Sequence, residues 1–299
     1  MTLRRTMLGL LLLLPGPVLA AGPKVFPDPP AAMEALLSAA RTGQAAAVVK
    51  VLGEHSRSFL VSGDAVADRT ALSRFVELFE RSHVIEAPDE STRTLEIGDD
   101  RWPFPIPLVK AAAGWSFDSR AGGQEILARR VGQNELDVIQ VCLGYVGAQH
   151  DYFELNPDVA PVLHYADRIL SSPGKRNGLY WKSSPGEEES PMGPAVSQAV
   201  QQGYAPGKRA PYHGYYFRIL TAQGPHAEGG ALDYRVGGLL TGGFGLLAYP
   251  ASYGKSGVMT FLVNQSGVVF QKDLGSGTAK TAAAIKRFDP DSSWTPVPP

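Results

Sequence analysis

QEILARRVGQNELDVIQVCLGYVGAQHDYF, residues 124–153, is the stretch that decides how the chain divides. Its first seven residues, 124–130, read as a short helical segment that Gly132 ends. From about Asn134 to Phe153 the apolar spacing sets up a longer helix, with Leu136, Ile139, Leu143 and Val146 as its buried stripe. A break between residues 130 and 133 therefore separates two domains, 26–130 and 133–290, followed by a tail at 291–299 read as frayed. Breaker residues agree with that division. Residues 171–270 hold 18 Gly and 8 Pro, whereas residues 31–102 hold four Gly and one Pro. The first half is thus expected to be helix-rich, and the second to be built of short strands and turns.

Working toward the N-terminus, Pro29-Pro30 suits a helix start. Met33, Leu36 and Leu37 form one face, Gly43 breaks the helix, and residues 45–52 make a second. Asp68 is read as the cap of a third, whose Leu72, Phe75, Val76 and Phe79 fall at i, i+3, i+4 and i+7. Residues 94–97, 102–109 and 115–117 then read as strands of a curved antiparallel sheet. Pro103, Pro105 and Pro107 alternate, so their missing N–H groups lie on one side of the strand. That side cannot pair, which places the strand at a sheet edge or at a break in the ladder. Toward the C-terminus, residues 171–211 form a long irregular insertion, either functional or flexible. Strands are expected at 212–220, 232–236, 244–249, 258–264 and 268–274, the last two as a hairpin through Gln265-Ser266-Gly267.

Residues 1–20 read as a secretory signal peptide: Arg4 and Arg5, an apolar run at 7–14, and Val18-Leu19-Ala20 as the cleavage site. The expectation is a periplasmic or secreted protein cleaved near Ala20. No other apolar run approaches the roughly 18 residues of a membrane span. A hydrophobic content of 44% supports folded cores, and a formal net charge of −1 leaves no footprint for nucleic acid. The single cysteine, Cys142, excludes an internal disulfide and a cysteine metal knuckle.

Two sets of strings carry resemblances. WPFPIPLV (102–109), Asn134-Glu135-Leu136, PYHGYYFRILTAQGP (211–225) and VMTFLVNQ (258–265) resemble a bacterial family of exported proteins known as domain of unknown function 2950, over about residues 26–295. That resemblance implies no established chemistry. Asn134-Glu135, Ala148-Gln149 with Tyr152, Gly203-Tyr204-Ala205-Pro206 and residues 257–268 are similar to the globular heads of type IV pilin-like proteins, which pack one long helix on an antiparallel sheet. The residues before that helix, Ala128-Arg129-Arg130-Val131-Gly132-Gln133, lack the apolar stem a pilus subunit needs. The first half resembles, by pattern alone, the cone-shaped fold of nuclear transport factors and polyketide cyclases, ending in Gly114-Trp115-Ser116-Phe117. The fold class implied is α+β: an N-terminal helix-plus-curved-sheet cone, then a stemless pilin-like domain.

Three glycine patterns imitate nucleotide motifs and lack a required part. Gly254-Lys255-Ser256 has Tyr249 where the first glycine belongs, Gly243-Phe244-Gly245 runs into Tyr249-Pro250 rather than a helix, and Gly275-Ser276-Gly277 has Lys280 for its third glycine. No Gly-x-Ser-x-Gly elbow occurs. Cys142, between Val141 and Leu143 on a helix, reads as packed. The six histidines include no i, i+4 pair, and His150 with the adjacent Asp151 points to different helix faces. His213, among Tyr212, Tyr215 and Tyr216, is a candidate for polar-ligand binding or proton transfer, with Tyr215 on its own face by strand period; the structural alternative is a half-buried strand. Trp181 with Glu187, Glu188 and Glu189 is a candidate for a cation or a partner, or a solvated loop. Trp102 and Trp115 are candidates to line a cavity with His83 and Asp99 or Asp100 at its mouth. No catalytic, cofactor or metal residue is assigned. The expected function is an exported, non-enzymatic envelope protein acting through protein contacts. Its alternatives are a small-molecule binding module in the N-terminal domain and a hydrolase or isomerase centred on His213 or His83.

Overall fold

The computed structural model describes residues 22–184, 186–207 and 210–298, so the segment read as a signal peptide lies outside the described residues. The chain is α+β. Helix α1 (Pro29–Arg41) starts where its prolines allow, with Asp28 accepting from the Ala31 N–H at 2.8 Å. Helix α2 (Ala45–Leu52), a 3-10 turn (Glu54–Ser56), α3 (Arg57–Leu60) and α4 (Ala65–Arg81) follow. The cap of α4 is Asp64, not Asp68. Asp64 accepts from Val66 and Ala67 N–H groups, while Asp68 lies one turn into the helix and accepts from Ser62 N. Strands β1 (His83–Glu86), β2 (Thr92–Ile97), β3 (Trp102–Ala111) and β4 (Gly114–Phe117) form one antiparallel sheet in sequence order. The sheet has one more strand than expected, β1. Its core joins Leu36, Leu52, Phe59 and Phe79 from the helices to Leu95, Ile106, Leu108 and Phe117.

The proline strand is internal rather than an edge. Strand β4 pairs only with Leu108–Ala111, and the β2–β3 ladder is irregular across the prolines. The side that cannot donate is covered by a helix. Asp118 N donates to Pro107 O at 2.9 Å, Arg129 reaches Pro103 O at 3.3 Å, and Gly122 lies against Pro105 O. Three missing donors thus mark where a helix, rather than a strand, lies against β3.

That helix is α5 (Ser119–Leu155), one element of 37 residues where two were expected. Gly132 does not end it. The ion pair Glu125–Arg129 and the hydrogen bond Gln133–Asp137 bracket the glycine at i, i+4, and both flanks are anchored, which outweighs a glycine penalty of about 1 kcal/mol. The buried stripe is also rotated from the expected one. Of the expected stripe Val146 is buried and Ile139 packs at the margin of the core, but Asn134, Val138, Cys142, Tyr145, Gln149 and Tyr152 also face inward, while Leu136 is 62% and Leu143 41% exposed. Polar tips decide the rotation. Gln149 Nε2 donates to Tyr145 Oη and Ala166 O, both at 2.8 Å, and its Oε1 accepts from Ala166 N at 2.9 Å.

The segment after α5 is irregular, except that the expected insertion contains a helix, α6 (Gly193–Gln201). Strands β5 (Tyr215–Leu220), β10 (Gly245–Pro250), β11 (Met259–Asn264), β12 (Phe270–Asp273) and β13 (Thr295–Pro296) make a five-stranded sheet in the order β13-β12-β11-β10-β5. The expected hairpin is β11–β12. Two small ribbons, β6 (Ala222–Gln223) with β7 (Leu232–Asp233) and β8 (Arg235–Val236) with β9 (Leu239–Leu240), replace the single strand expected at 232–236. Alternate residues of β10 and β11 face opposite sides. Leu246, Phe261 and Val263 pack under α5, whereas Leu247 and Leu262 meet Phe288 and Trp294 on the other face. That second face is covered by α7 (Thr278–Ala284) and the C-terminal segment. Residues 291–298 are therefore not frayed, because Trp294 is buried and β13 pairs with β12.

Candidate functional site

Tyr212 and Tyr215 exchange both backbone hydrogen bonds, at 2.9 and 3.0 Å, across His213 (φ +48) and Gly214 (φ +73). Two positive φ values in a two-residue turn are the type I′ pattern. Glycine is needed at the second position for a further reason. A Cβ there would lie 2.7 Å from Asn134 Nδ2 and 2.8 Å from Ser256 Cβ. Histidine at the first costs about 1–2 kcal/mol of backbone strain, and its side chain has a partner: Nδ1 lies 3.0 Å from Asp137 Oδ2 on α5. Asp137 also accepts from Gln133 Nε2 at 2.9 Å. The Tyr212 ring stands edge-on to His213 at 4.2 Å, and Tyr204 stands edge-on to Tyr212 at 4.9 Å. Because the turn breaks the strand period, Tyr215 does not share a face with His213 as expected. Tyr215 is fully buried and donates to Met259 O at 2.9 Å, and Tyr216 packs on Tyr249.

Beneath this turn lies Asp64, a residue the sequence reading passed over. Its Oδ1 caps α4, and its Oδ2 accepts from Tyr204 Oη at 2.9 Å and Gly214 N at 3.1 Å. One buried carboxylate thus ties the first helical region to the turn that opens β5. Two α5 residues complete the junction. Asn134 donates to Ser256 O at 2.8 Å, and Glu135 accepts from Val258 N and Met259 N at 2.8 and 2.9 Å. Burial and the Asp64 charge push the Tyr204 phenol above its ordinary range, and burial with Glu135 does the same for Tyr215. Burial also raises Asp68, against the opposing pull of Ser62 and of Arg130, and burial lowers Arg130. Arg130 Nη1 is buried without a partner among the described residues.

Chemically, Asp137 stands beside one imidazole nitrogen of His213 at 3.0 Å, a pairing that a protonated ring would strengthen. Among the neighbouring hydroxyls, Tyr204 is engaged on Asp64, Tyr215 on Met259 O and Ser256 on Ser252 O at 3.2 Å, whereas that of Tyr212, the ring nearest to His213, makes no hydrogen bond among the described residues. The contacts made here fasten α4 and α5 to the turn that opens β5 and to the segment before β11.

The other candidates fall apart in space or close on themselves. Trp102 starts β3, and Trp115 pairs with Lys110 eight residues further along it, about 25 Å away at the usual strand rise. They do not line one cavity. Trp102 lies under Arg129 and Trp115 under Arg93, while His83 stacks on Phe79 at 4.0 Å; Asp99 and Asp100 are exposed. Trp181 is buried, with Arg176 over its ring at 5.5 Å and facing Glu187 and Glu188, so the aromatic–acidic notch already holds a cation. Cys142 is buried, and burial pushes its thiol up to about 12. His150 stands edge-on to Tyr165 and Phe244. The three glycine patterns lie in a turn, at the start of β10 and before the seven-residue α7. Among the described residues no group of three His, Cys, Asp or Glu could hold a metal, and no helix is long and apolar enough to cross a membrane.

The sequence carried one signal for Asp64 that was misassigned, a cap residue ahead of an apolar-periodic run; nothing local pointed to Tyr204 or Asp137. No curated protein and no solved structure matches this chain. A family model described as "Protein of unknown function (DUF2950)" matches residues 23–297, and with that span covering nearly every described residue, the chain belongs to the DUF2950 family.

Proposed function

We propose that this chain is an exported, non-enzymatic protein of the cell envelope that acts through protein contacts, in the periplasm or outside the cell. The observation that carries the reading is the loop after α5. Asn156 ends the helix in the left-handed region and clamps Ala160, donating to its O and accepting from its N, each at 3.1 Å. Inside that clamp Val159 has φ +54 and is 85% exposed, and Leu155, Val162 and Leu163 beside it are exposed as well. A β-branched residue in that backbone region costs on the order of 1–3 kcal/mol, and its apolar side chain gains nothing from water. A partner's apolar surface would compensate both. Export is supported by the residue 1–20 pattern and by a family match that begins only at residue 23.

The same proposal divides the chain into 26–130 and 133–290, which is supported by the separate apolar clusters on either side of α5's midpoint. The cone likeness draws on helices packed against the β1–β4 sheet. The pilin-head likeness draws on α5 lying across the five-stranded sheet, with Arg129 and Arg130 where an apolar stem would be.

The test is a photo-crosslinking residue at position 159, with a control at exposed Glu34 on α1, in intact cells. The reading expects an adduct with an envelope protein from position 159 alone. Val159→Asn, which tolerates the left-handed region, should stabilise the isolated chain by about 1 kcal/mol and reduce capture of that protein. Equal adducts at both positions, or none alongside turnover of a metabolite by purified protein, would sink the proposal. A second, enzymatic reading has the His213–Asp137 pair in its favour, and His213→Ala with unchanged phenotype in cells would end it.

A further inference from the structure

Within the stretch between α5 and α6, residues 168–180 form a loop closed on itself. Its ends are zipped by Leu179 N to Arg168 O (3.1 Å), Tyr180 N to Ile169 O (2.7 Å) and Ser171 N to Tyr180 O (2.8 Å). Its turn is set by Ser172 N donating to Asn177 Oδ1 at 2.9 Å, and its tip is pinned by Tyr152 Oη donating to Arg176 O at 3.1 Å. Against this loop opens a cavity of about 420 Å³. Leu170, Tyr180, Trp181 and Pro206 give it apolar walls, and Lys175, Arg176 and Lys182 place three cations around it against one anion, Glu187. Glu188, its carboxylate 3.8 Å from Arg176, adds a second anion at the rim, so the cations there outnumber the anions by one.

Arg176 is the informative residue. Arg41, Arg81, Arg129, Arg168 and Arg235 each hold a carboxylate at 2.6–3.1 Å. Arg176 stands 4.0 Å from Glu187 and 3.8 Å from Glu188, outside hydrogen-bond reach, with its guanidinium over the Trp181 ring. The Glu187 oxygen nearest to it, Oε2, is already taken up in part by Ser184 N, which donates to it at 3.2 Å. The guanidinium is thus positioned by stacking and a pinned backbone, and its planar donors face two carboxylates without making a hydrogen bond to either among the described residues. Such a fork suits the two oxygens of a carboxylate or phosphate.

We propose that this cavity binds a small ring-bearing organic oxyanion: the oxyanion on Arg176, flanked by Lys175 and Lys182, and the ring against Tyr180 and Leu170. The site is separate from the Val159 loop, so it stands whether or not that loop contacts a partner.

The experiment is calorimetric titration of the full chain with galacturonate, glucose 6-phosphate and, as the neutral control, glucose. At least one acid should bind saturably and raise the melting temperature by mass action, while glucose should do neither. Galacturonate alone would identify a carboxylate ligand and glucose 6-phosphate alone a phosphate ligand; either supports the site. Affinity should fall at least tenfold in the K175Q/K182Q variant, whose changed side chains are exposed and leave the unliganded melting temperature unchanged, and fall further in R176Q. Saturable binding by neither acid, glucose binding as tightly as the acids, or wild-type affinity in both variants would overturn the proposal.

Discussion

Helix α5 packs by opposite means along its two stretches. Over its first turns it meets β3 through what it lacks: Ser119, Gly122 and Gly123 are its buried residues, and backbone lies close to backbone. From Asn134 onward it meets the second sheet through bulk with polar tips, in Val138, Tyr145, Gln149 and Tyr152. One helix therefore joins a contact opened by close backbone approach at Gly122 to a contact in which buried hydrogen bonds accompany the apolar core. The difference teaches that the apolar residues of α5, Ile126 and Leu127 on the first core and Val138, Cys142 and Val146 on the second, are interleaved with glycines and polar side chains that disguise the stripe by which amphipathic helices are usually recognised.

Breaking the first interface should have the largest effect. A Cβ at Gly122 would fall 2.5 Å from Pro105 O and 2.7 Å from Ile106 Cγ1, and the nearer atom is backbone. Gly122→Val should cost more than about 3 kcal/mol, read as the urea midpoint at unchanged slope. A change below 1 kcal/mol would mean the helix can lift off β3 freely. The second interface should fail more gently. Gln149→Leu fills the same space but leaves the buried N–H and C=O of Ala166 without the amide that serves both. The expected loss is about 2–3 kcal/mol.

These contacts explain what was legible in the chain. The early helices announced themselves, since Met33, Leu36 and Leu37 follow the helical period and sit in the core as expected. The β11–β12 hairpin was legible because its apolar residues alternate. Helix α5 was misread in its middle and in its face for one physical reason: a stripe containing Gly122, Asn134, Gln149 and two tyrosines does not look buried, whereas exposed Leu136 and Leu143 do. The β1 strand was missed because its solvent-facing residues carry no alternation. At the candidate site His213 was visible among its tyrosines. Its turn was not, since the pairing of Tyr212 with Tyr215 puts histidine where asparagine or glycine is usual. Asp64 and Asp137 were out of reach because their partners lie 140 to 150 residues away in one case and in a distant turn in the other.

A sharper test addresses the seam between the two stretches. Gly132 has open space around the position of a Cβ and no strained φ. If α5 is continuous there, Gly132→Ala removes only the entropic handicap of glycine and stabilises the protein by about 0.5–1 kcal/mol. A destabilising result would restore the break that the sequence alone suggests.

The smallest effect is a pH dependence at the same seam, where Asp68 on α4 faces Arg130 on α5. Burial raises the Asp68 carboxyl in the folded chain, against the Ser62 hydrogen bonds and the Arg130 charge. A carboxyl that holds its proton more tightly folded than unfolded contributes stability below its unfolded value, near 3.9, and loses it as pH rises through the folded value. Asp68→Asn deletes that titration and keeps an oxygen to accept from Ser62 N. Relative to this variant, the wild type should therefore lose stability between pH 4 and pH 7, measured as the difference in urea midpoints at the two values. A difference independent of pH would mean that Arg130 fully compensates Asp68 in the fold. The two charges would then fasten α4 to the middle of α5 in the way that Asp64 fastens α4 to the turn at His213.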